Sequence, residues 1–273
     1  MTSRVALIGH PLQRRHSAVM HNAAFRHFSI DADYELYDLE PDEVPGFVVE
    51  TRDPAWLGFQ VTAPHKLAVM EHLDEIEDGA RQIGAVNSVI RQADGTLAGF
   101  NTDAPGFQRG AEAGLGIRFS GLRAAVAGAG GGARAVVNAL VTAGAGSVTI
   151  CDLTASRSNE LATQYGDQVR AVNPGAEFEA ALRRVGLAVN ATTMGMMEPG
   201  VAFDVGALPD SAAVFDLVYT PSESELLRRA RARDLPAANG LGMLVAQAEI
   251  AFERWTGRSG AGPIMREALL TSS

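Results

Sequence analysis

Ala124-Ala125-Val126-Ala127-Gly128-Ala129-Gly130-Gly131-Gly132-Ala133 is the stretch on which the fold turns. The four residues before Gly128 read as the end of a buried strand, and Ala133 to Ala143 carries a helical pattern. Between them Gly128, Gly130 and Ala133 keep the spacing G-x-G-x-x-A. Gly128 permits a tight turn, Gly130 lets the backbone approach a pyrophosphate, and Ala133 lets the helix pack close to the strand. The helix N-terminus then offers unpaired N–H groups and a partial positive charge. A glycine-rich turn alone is a weak signal. The strand before it and the helix after it make Gly128, Ala129, Gly130, Gly131, Gly132 and Ala133 a candidate dinucleotide site.

Working outward, the next strand, Ser147 to Asp152, ends in Cys151-Asp152-Leu153, and Asp152 lies 19 residues past Ala133. That is close to the separation of about 20 at which an acidic side chain meets the ribose hydroxyls. A carboxylate there accepts from both hydroxyls and repels a 2′-phosphate. The other reading is a solvated Asp opening the next helix, since Thr154 and Ser156 are also cap formers. Further strands are predicted at 169–172, 187–190 and 214–217, with helical patterns between most of them.

Upstream of the glycine stretch, strands are predicted at 4–9, 34–39 and 57–62, and helices at 17–28, 65–73 and 76–83. Residues 86–91 and 96–101 flank Ala93-Asp94-Gly95, a hairpin signal. A strong amphipathic helix covers 243–256. Strands alternating with helices predict an α/β chain with mainly parallel sheets. The expected organisation is an N-terminal α/β substrate domain, 1–103 plus 243–273, and a Rossmann-type doubly wound dinucleotide-binding domain, 104–242.

A chain of 273 residues suits two domains of ordinary size. Its 23 Lys and Arg against 32 Asp and Glu give a net charge of −9, which argues against nucleic acid or an anionic membrane as the main partner. A small anion is compatible with that balance, because one local cation outweighs the global field. The single Cys151 allows no internal disulfide and fits a reducing cytoplasm. No apolar run reaches the roughly 18 residues of a membrane span. A monomer or homodimer acting on a small molecule is expected.

A second candidate site lies in Phe59-Gln60-Val61-Thr62-Ala63-Pro64-His65-Lys66. A strand delivers Thr62, Pro64 breaks it, and Lys66 follows. Most lysines sit on solvated faces. Lys66 is singled out by two amide- and hydroxyl-rich turns, Ala85 to Ser88 and Asn101 to Asp103, placed at strand ends where open α/β sheets bind ligands. Alone, each turn is as readily structural. His16, His21 and His65 show no metal-ligand spacing, and no metal is expected.

Taken in order, these motifs resemble the shikimate dehydrogenase family over nearly the whole chain. Gly9 to Pro11 precedes His16 to His21, Val61 to Lys66, Gly84 to Ser88 and Asn101 to Phe107. Gly128 to Arg134, Asn190 to Met196 and Gly240 to Gln247 follow. The resemblance implies reversible, nicotinamide-linked interconversion of shikimate and 3-dehydroshikimate, and of quinate and 3-dehydroquinate. It implies Lys66 and Asp103 as the catalytic pair. Ser17, Thr62, Asn87 and Gln247 are implied to bond substrate oxygens, and Tyr219 to lie near the substrate carboxylate. Asn190, Ala191, Thr192, Met194, Leu217, Gly240 and Met243 are implied on the cofactor side. Hydride reaching a ketone leaves negative charge on oxygen, and a positioned ammonium can supply the proton.

Three departures stand out. Arg15 and Ala18 replace the first serine and the proline of the family's S-x-S-P, and Gln60, expected among the substrate-binding residues, replaces the Asn of N-V-T with one more methylene next to the substrate. Arg15 either grips a carboxylate, fills the pocket, selects another acid or faces solvent. Asp152-Leu153-Thr154-Ala155-Ser156-Arg157 replaces the basic run that receives a 2′-phosphate, so NAD is expected over NADP, with Arg157 leaving weak NADP use open. Two other readings remain: a dehydrogenase for a different hydroxylated cyclic acid or amino analogue, and a dinucleotide-binding regulator without catalysis. The retained Lys66 and Asp103 speak against the last.

Overall fold

The computed structural model describes residues 2–12, 15–196 and 198–272. It divides into two compact units, Met1–Thr102 with Val245–Ser273, and Asp103–Leu244. The first unit runs β1 (Ser3–Gly9), α1 (His16–His27), β2 (Ala32–Asp38), α2 (Val44–Glu50), β3 (Trp56–Val61), β4 (Glu75–Ile76), α3 (Asp78–Ile83), β5 (Ser88–Arg91) and β6 (Leu97–Phe100). The second runs α4 (Asp103–Leu115), β7 (Arg123–Ala127), α5 (Gly131–Thr142), β8 (Ser147–Cys151), α6 (Ala155–Tyr165), β9 (Val169–Ala171), α7 (Ala176–Leu182), β10 (Leu187–Asn190), β11 (Ala213–Asp216), α8 (Glu225–Arg231) and β12 (Ala237–Asn239). The chain ends with α9 (Leu241–Thr256) and α10 (Gly262–Thr271).

The first sheet has the order β2-β1-β3-β5-β6-β4. β1 lies parallel to β2 and β3, whereas β5 is antiparallel to both β3 and β6. The hairpin that joins β5 to β6 follows from its turn residues. Asp94 Oδ1 accepts from the Thr96 N–H at 2.9 Å and from its hydroxyl at 2.7 Å, and Gly95 takes a φ of +90°. One face of the sheet buries Val44, Phe47, Trp56, Phe59, Val61 and Leu97. Elsewhere in the unit, a ring cluster packs His21 and Phe25 of α1 against Tyr34 of β2 and Phe252 and Trp255 of α9. Each such side chain withdrawn from water stabilises the unit by about 2 kcal/mol.

The second sheet is all parallel, in the order β12-β11-β10-β7-β8-β9. Read from the other edge, it winds outward in both directions from β7, so the strand order reverses between β7 and β10. This is the doubly wound arrangement, and its ligand position is the crevice at that reversal. The strands are short apolar runs with little alternation, as expected for strands covered on both faces.

Two local expectations need correction. Residues 65–73 do not form an α-helix; only Ala68–His72 form a short 3₁₀ turn. The Lys66 carbonyl accepts the Val86 N–H at 2.9 Å, and Leu73 is extended, so the segment stays tied to the sheet. Residues 76–83 split into β4, which pairs with β6, and the shorter α3, ended by Gly84 in the left-handed conformation. No described helix is long and apolar enough to cross a membrane.

Candidate active site

In the first unit, one end of the sheet gathers most of the residues singled out on the sequence. Thr62 N–H donates to the Ile8 carbonyl at 2.9 Å and His10 N–H to the Ala63 carbonyl at 3.1 Å, so the loops after β1 and β3 lie side by side. Val61 N–H donates to the Asn87 carbonyl at 2.9 Å, and Asn87 N–H to the Phe100 carbonyl at 3.2 Å. Thr62, Asn87 and Asn101-Thr102 are thereby brought to one edge. Lys66 follows Thr62 by one short turn and is half-buried. His65, fully buried, donates from Nε2 to the Leu39 carbonyl at 2.8 Å and so holds that turn down. Ser17 is half-buried in the first turn of α1, and Arg15, just before it, is exposed.

Four of these side chains are strung on one buried chain of hydrogen bonds. The Thr102 N–H donates to Asn87 Oδ1 at 2.8 Å, and Asn87 Nδ2 donates to Thr102 Oγ1 at 2.9 Å. The Thr102 hydroxyl reaches Gln247 Oε1 at 3.2 Å. Gln60 Nε2 donates to the same Gln247 oxygen at 2.8 Å. Tyr34 then donates its hydroxyl hydrogen to Gln60 Oε1 at 2.7 Å, and Ser17 bonds the Tyr34 oxygen. Burial raises the Tyr34 phenol well above its usual pKa, with the Ser17 bond opposing, so it stays a neutral donor. Burial also pulls His21, stacked on Tyr34 at 4.5 Å, down to about 3, so that ring is uncharged. Tyr34 was not among the residues singled out on the sequence, and Thr102 entered only as the middle of the turn Asn101 to Asp103. The nearest signal is Tyr34's place on an alternating strand, its ring directed inward.

In the second unit the parallel register sets Cys151, Ala127, Asn190, Asp216 and Asn239 in a single row across five strands. The next residue on each strand is therefore one edge of the sheet: Asp152, Gly128, Ala191, Leu217 and Gly240. All five were expected on the cofactor side. Gly128 has φ +109°, and a Cβ there would meet the Ala191 carbonyl oxygen at 2.8 Å. A Cβ on Gly130, by contrast, would meet nothing within 4 Å, so the loop has an open side. α5 starts at Gly131, with Gly132 in its first turn and Ala133 fully buried. A glycine turn closed on one side and open on the other, at a helix N-terminus, fits a dinucleotide pyrophosphate.

Asn190 is fully buried and turned inward. Its Nδ2 donates to the Met194 carbonyl at 3.1 Å and to Asp216 Oδ1 at 2.9 Å. Its Oδ1 accepts from the Thr192 N–H at 3.0 Å and hydroxyl at 2.7 Å. It shapes the 191–194 loop from beneath. Asp216, missed on the sequence, accepts in addition from the Val218 N–H at 3.0 Å and the Ser224 hydroxyl at 2.5 Å. Burial nonetheless raises its pKa, the three donors opposing. A lone carboxylate within the apolar run Val214-Phe215-Asp216-Leu217-Val218 was the signal for it. Tyr219 lies half-buried just after that run. Met243 is buried on α9, its backbone against Gly110 of α4. Asp103, 7% exposed, opens α4 directly after Thr102. Cys151 is a buried strand thiol, pushed up to about 12 mainly by desolvation.

A reversal point carrying the glycine turn in one unit, and a sheet edge set with hydroxyl, amide and ammonium groups in the other, define an oxidoreductase of the CH–OH class. Residues 7–89 match the shikimate dehydrogenase substrate binding domain and 240–270 the shikimate 5′-dehydrogenase C-terminal domain. The chain is 42% identical to the NADP(+) shikimate dehydrogenase of Symbiobacterium thermophilum, over 98% of this chain and 94% of that one. Shikimate 5-dehydrogenase of Thermus thermophilus, in complex with NADP(H) and shikimate, superposes with a TM-score of 0.90 at 39% identity, covering 99% and 100% of the two chains. Quinate dehydrogenase of Corynebacterium glutamicum, in complex with NAD, does so with a TM-score of 0.92 at 34% identity, covering 99% of each. The chain belongs to the shikimate dehydrogenase family.

The expected preference for NAD over NADP is overturned. Relatives at 36–42% identity are named for NADP(+), and the Thermus structure holds NADP(H). The reason lies in what Asp152 does. Its Oδ2 accepts the Ala129 N–H at 2.8 Å and its Oδ1 the Thr154 N–H at 2.8 Å. The carboxylate is held by the protein's own backbone and links the glycine turn to the loop after β8. It is not the solvated, helix-opening Asp weighed above either, since Thr154 is the N-cap of α6 and Asp152 is half-buried; sequence spacing alone does not distinguish these roles. Leu153 is 94% exposed, and Arg157 is exposed in the first turn of α6.

Proposed function

We propose that the protein is a shikimate dehydrogenase, interconverting shikimate and 3-dehydroshikimate with NADP(H). The reading rests above all on likeness over 98% of the chain to a relative of that name. The first unit takes the hydroxy acid and the second the dinucleotide. The reducing environment suited to Cys151 makes the cytosol its compartment.

The bound nicotinamide supplies or accepts the hydride; the protein's own groups do the rest. Lys66 Nζ gives its proton to the oxygen that becomes the alcohol, and takes it back in oxidation. Asp103 orients that ammonium. Ser17, Thr62, Asn87 and Gln247 read the oxygens of a molecule with little apolar surface, and Tyr219 and Arg15 serve its carboxylate. A missing partner in such a ring leaves a buried polar group unpaired, which gives discrimination against analogues. The N–H groups at the start of α5 hold the pyrophosphate, and Arg157 meets the 2′-phosphate. Likeness to the Corynebacterium enzyme favours quinate as a second substrate.

The test is initial-rate oxidation of shikimate and of quinate, each with NADP. Turnover of shikimate supports the reading. Turnover of quinate alone leaves the family chemistry and moves the substrate, and turnover of neither acid defeats the reading.

A further inference from the structure

We propose that the cavity between the second sheet and α7 binds the phosphate group of a small phosphorylated metabolite, at a site separate from that of the dinucleotide. Its volume is about 430 Å³, and Arg123, Ser147, Thr149, Arg170, Glu177 and Arg184 supply its polar lining. A space of that size holds a small-molecule ligand.

The parallel register explains why these side chains meet. β8 lies between β7 and β9, with Arg123 beside Ser147 and Thr149 beside Arg170. Ser147, Thr149 and Cys151 alternate onto one face of β8, while Val148 and Ile150 are buried on the other. On the first of these faces, Phe178 and Leu182 of α7 share one core with Ala125, Ala127 and Cys151. That apolar packing stops at Cys151, so nearer the start of the strands the face carries two hydroxyls flanked by two arginines. Neighbouring strands lie about 4.8 Å apart, which sets Arg123 and Arg170 roughly 10 Å apart across the sheet, a span that two guanidinium arms close over one anion. Arg184, just past the end of α7, joins them from the helix side.

The charge of the lining selects the ligand. Arg118, Arg134, Arg228, Arg229, Arg231 and Arg233 of the same unit each pair with a carboxylate. Among the described residues, Arg123, Arg170 and Arg184 pair with none, and the Ser147 and Thr149 hydroxyls make no hydrogen bond. The one carboxylate of the lining, Glu177, is already engaged: it accepts from the Asn173 N–H at 3.1 Å and from Asn173 Nδ2 at 3.4 Å. Three cations thus face one anion in a chain whose net charge is −9, and the local field opposes the global one. Guanidinium groups converging from two strands and a helix end suit a tetrahedral group with several acceptor oxygens better than a flat carboxylate, and the two hydroxyls add donors to the same oxygens. The site is not that of the cofactor's phosphates. Arg123 and Ser147 open β7 and β8, whereas Gly128 and Asp152 follow the ends of those strands, about 16 Å further along them.

The experiment is equilibrium dialysis of the full chain, with NADP present to fill the glycine turn, against inorganic phosphate, glycerol 3-phosphate and citrate. The native protein is expected to bind both phosphates, and citrate more weakly. Arg170→Gln and Arg184→Gln should each weaken both phosphates about tenfold or more, the loss of one charge-assisted bond to a phosphate oxygen. Both arginines are exposed, so the variants are expected to keep the native Tm. Arg157→Ala, in the other part of the unit, should leave phosphate binding unchanged. Absence of binding to the native protein, unweakened binding in Arg170→Gln and Arg184→Gln, or a loss confined to Arg157→Ala overturns the proposal. Citrate bound as tightly as glycerol 3-phosphate overturns the assignment to phosphate, and inorganic phosphate bound without glycerol 3-phosphate overturns the assignment to a phosphorylated metabolite.

Discussion

Asn190 and Asp216, side by side in the register of β10 and β11, share a hydrogen bond of 2.9 Å that joins the ends of neighbouring strands beneath the loops 191–194 and 217–224. The pair is fully buried, and Asp216 also gathers the Val218 N–H and the Ser224 hydroxyl. Replacing Asp216 by Ala leaves three buried donors without an acceptor. The expected loss is about 3 kcal/mol of stability, from roughly 1–3 kcal/mol per unsatisfied group with some relaxation. Denaturant unfolding measures it, and a loss below about 1 kcal/mol would show that the loops find other partners.

The same carboxylate predicts a pH dependence of stability. Burial raises its folded-state pKa above the ordinary 3.8, so the folded chain binds that proton more tightly than the unfolded one. The resulting stabilisation is complete below about pH 3.8 and is lost as pH rises through the raised folded value. Asp216→Asn cannot titrate. The stability of the native protein minus that of the variant should fall as pH rises from 4 upward, and a difference that is flat or rising contradicts the assignment.

Lys66→Ala removes the proposed proton donor. General acid catalysis is worth about 10²- to 10⁴-fold, and kcat should fall by that range. NADP binding, followed by fluorescence titration, should stay within twofold of the native value. A kcat within tenfold of native would remove Lys66 from the reaction.

Arg157→Ala tests the cofactor correction. Loss of one charge-assisted contact to a phosphate corresponds to about 1.5–3 kcal/mol, or roughly 10- to 100-fold in KM for NADP. KM for shikimate should move less than twofold. Unchanged KM for NADP would send the 2′-phosphate to another group.

Gly128→Ala strains the turn twice, through φ of +109° and through a Cβ 2.8 Å from the Ala191 carbonyl oxygen. A cost of about 1–3 kcal/mol is expected, with weaker NADP binding. Gly130→Ala, on the open side of the same loop, should cost far less stability yet still weaken NADP binding. Equal losses of stability in the two variants would mean that the turn is not where the strain lies.

The second sheet was legible because its strands are short apolar runs separated by helical patterns, and because β7, the glycine turn and α5 spell out their own geometry. Other elements hide for physical reasons. α2 contains Pro45 and Gly46 within seven residues, and β12 is Ala-Ala-Asn with no β-branched residue. Residues 65–73 have a helical pattern, but their backbone is claimed by the sheet. The site was readable as residue types at strand ends. What each side chain touches was not: Gln60 and Gln247 are 187 positions apart, and nothing in the sequence says they bond each other. Asp152 shows the same limit, since a carboxylate at the ribose spacing and one clamping a turn look alike until the partners of its oxygens are known.

The division of the first unit into Met1–Thr102 and Val245–Ser273 has a consequence for synthesis. A ribosome releases the whole of Asp103–Leu244 before it supplies Phe252 and Trp255, the rings that complete the cluster around His21 and Tyr34. The Gly128 unit can therefore be complete while the Lys66 unit still lacks two of the rings that pack against α1 and β2. Gln247 arrives in that later stretch, so the hydrogen-bond chain from Tyr34 closes only after Asp103–Leu244 has been made. Maturation of the enzyme is ordered in time by where the chain turns back.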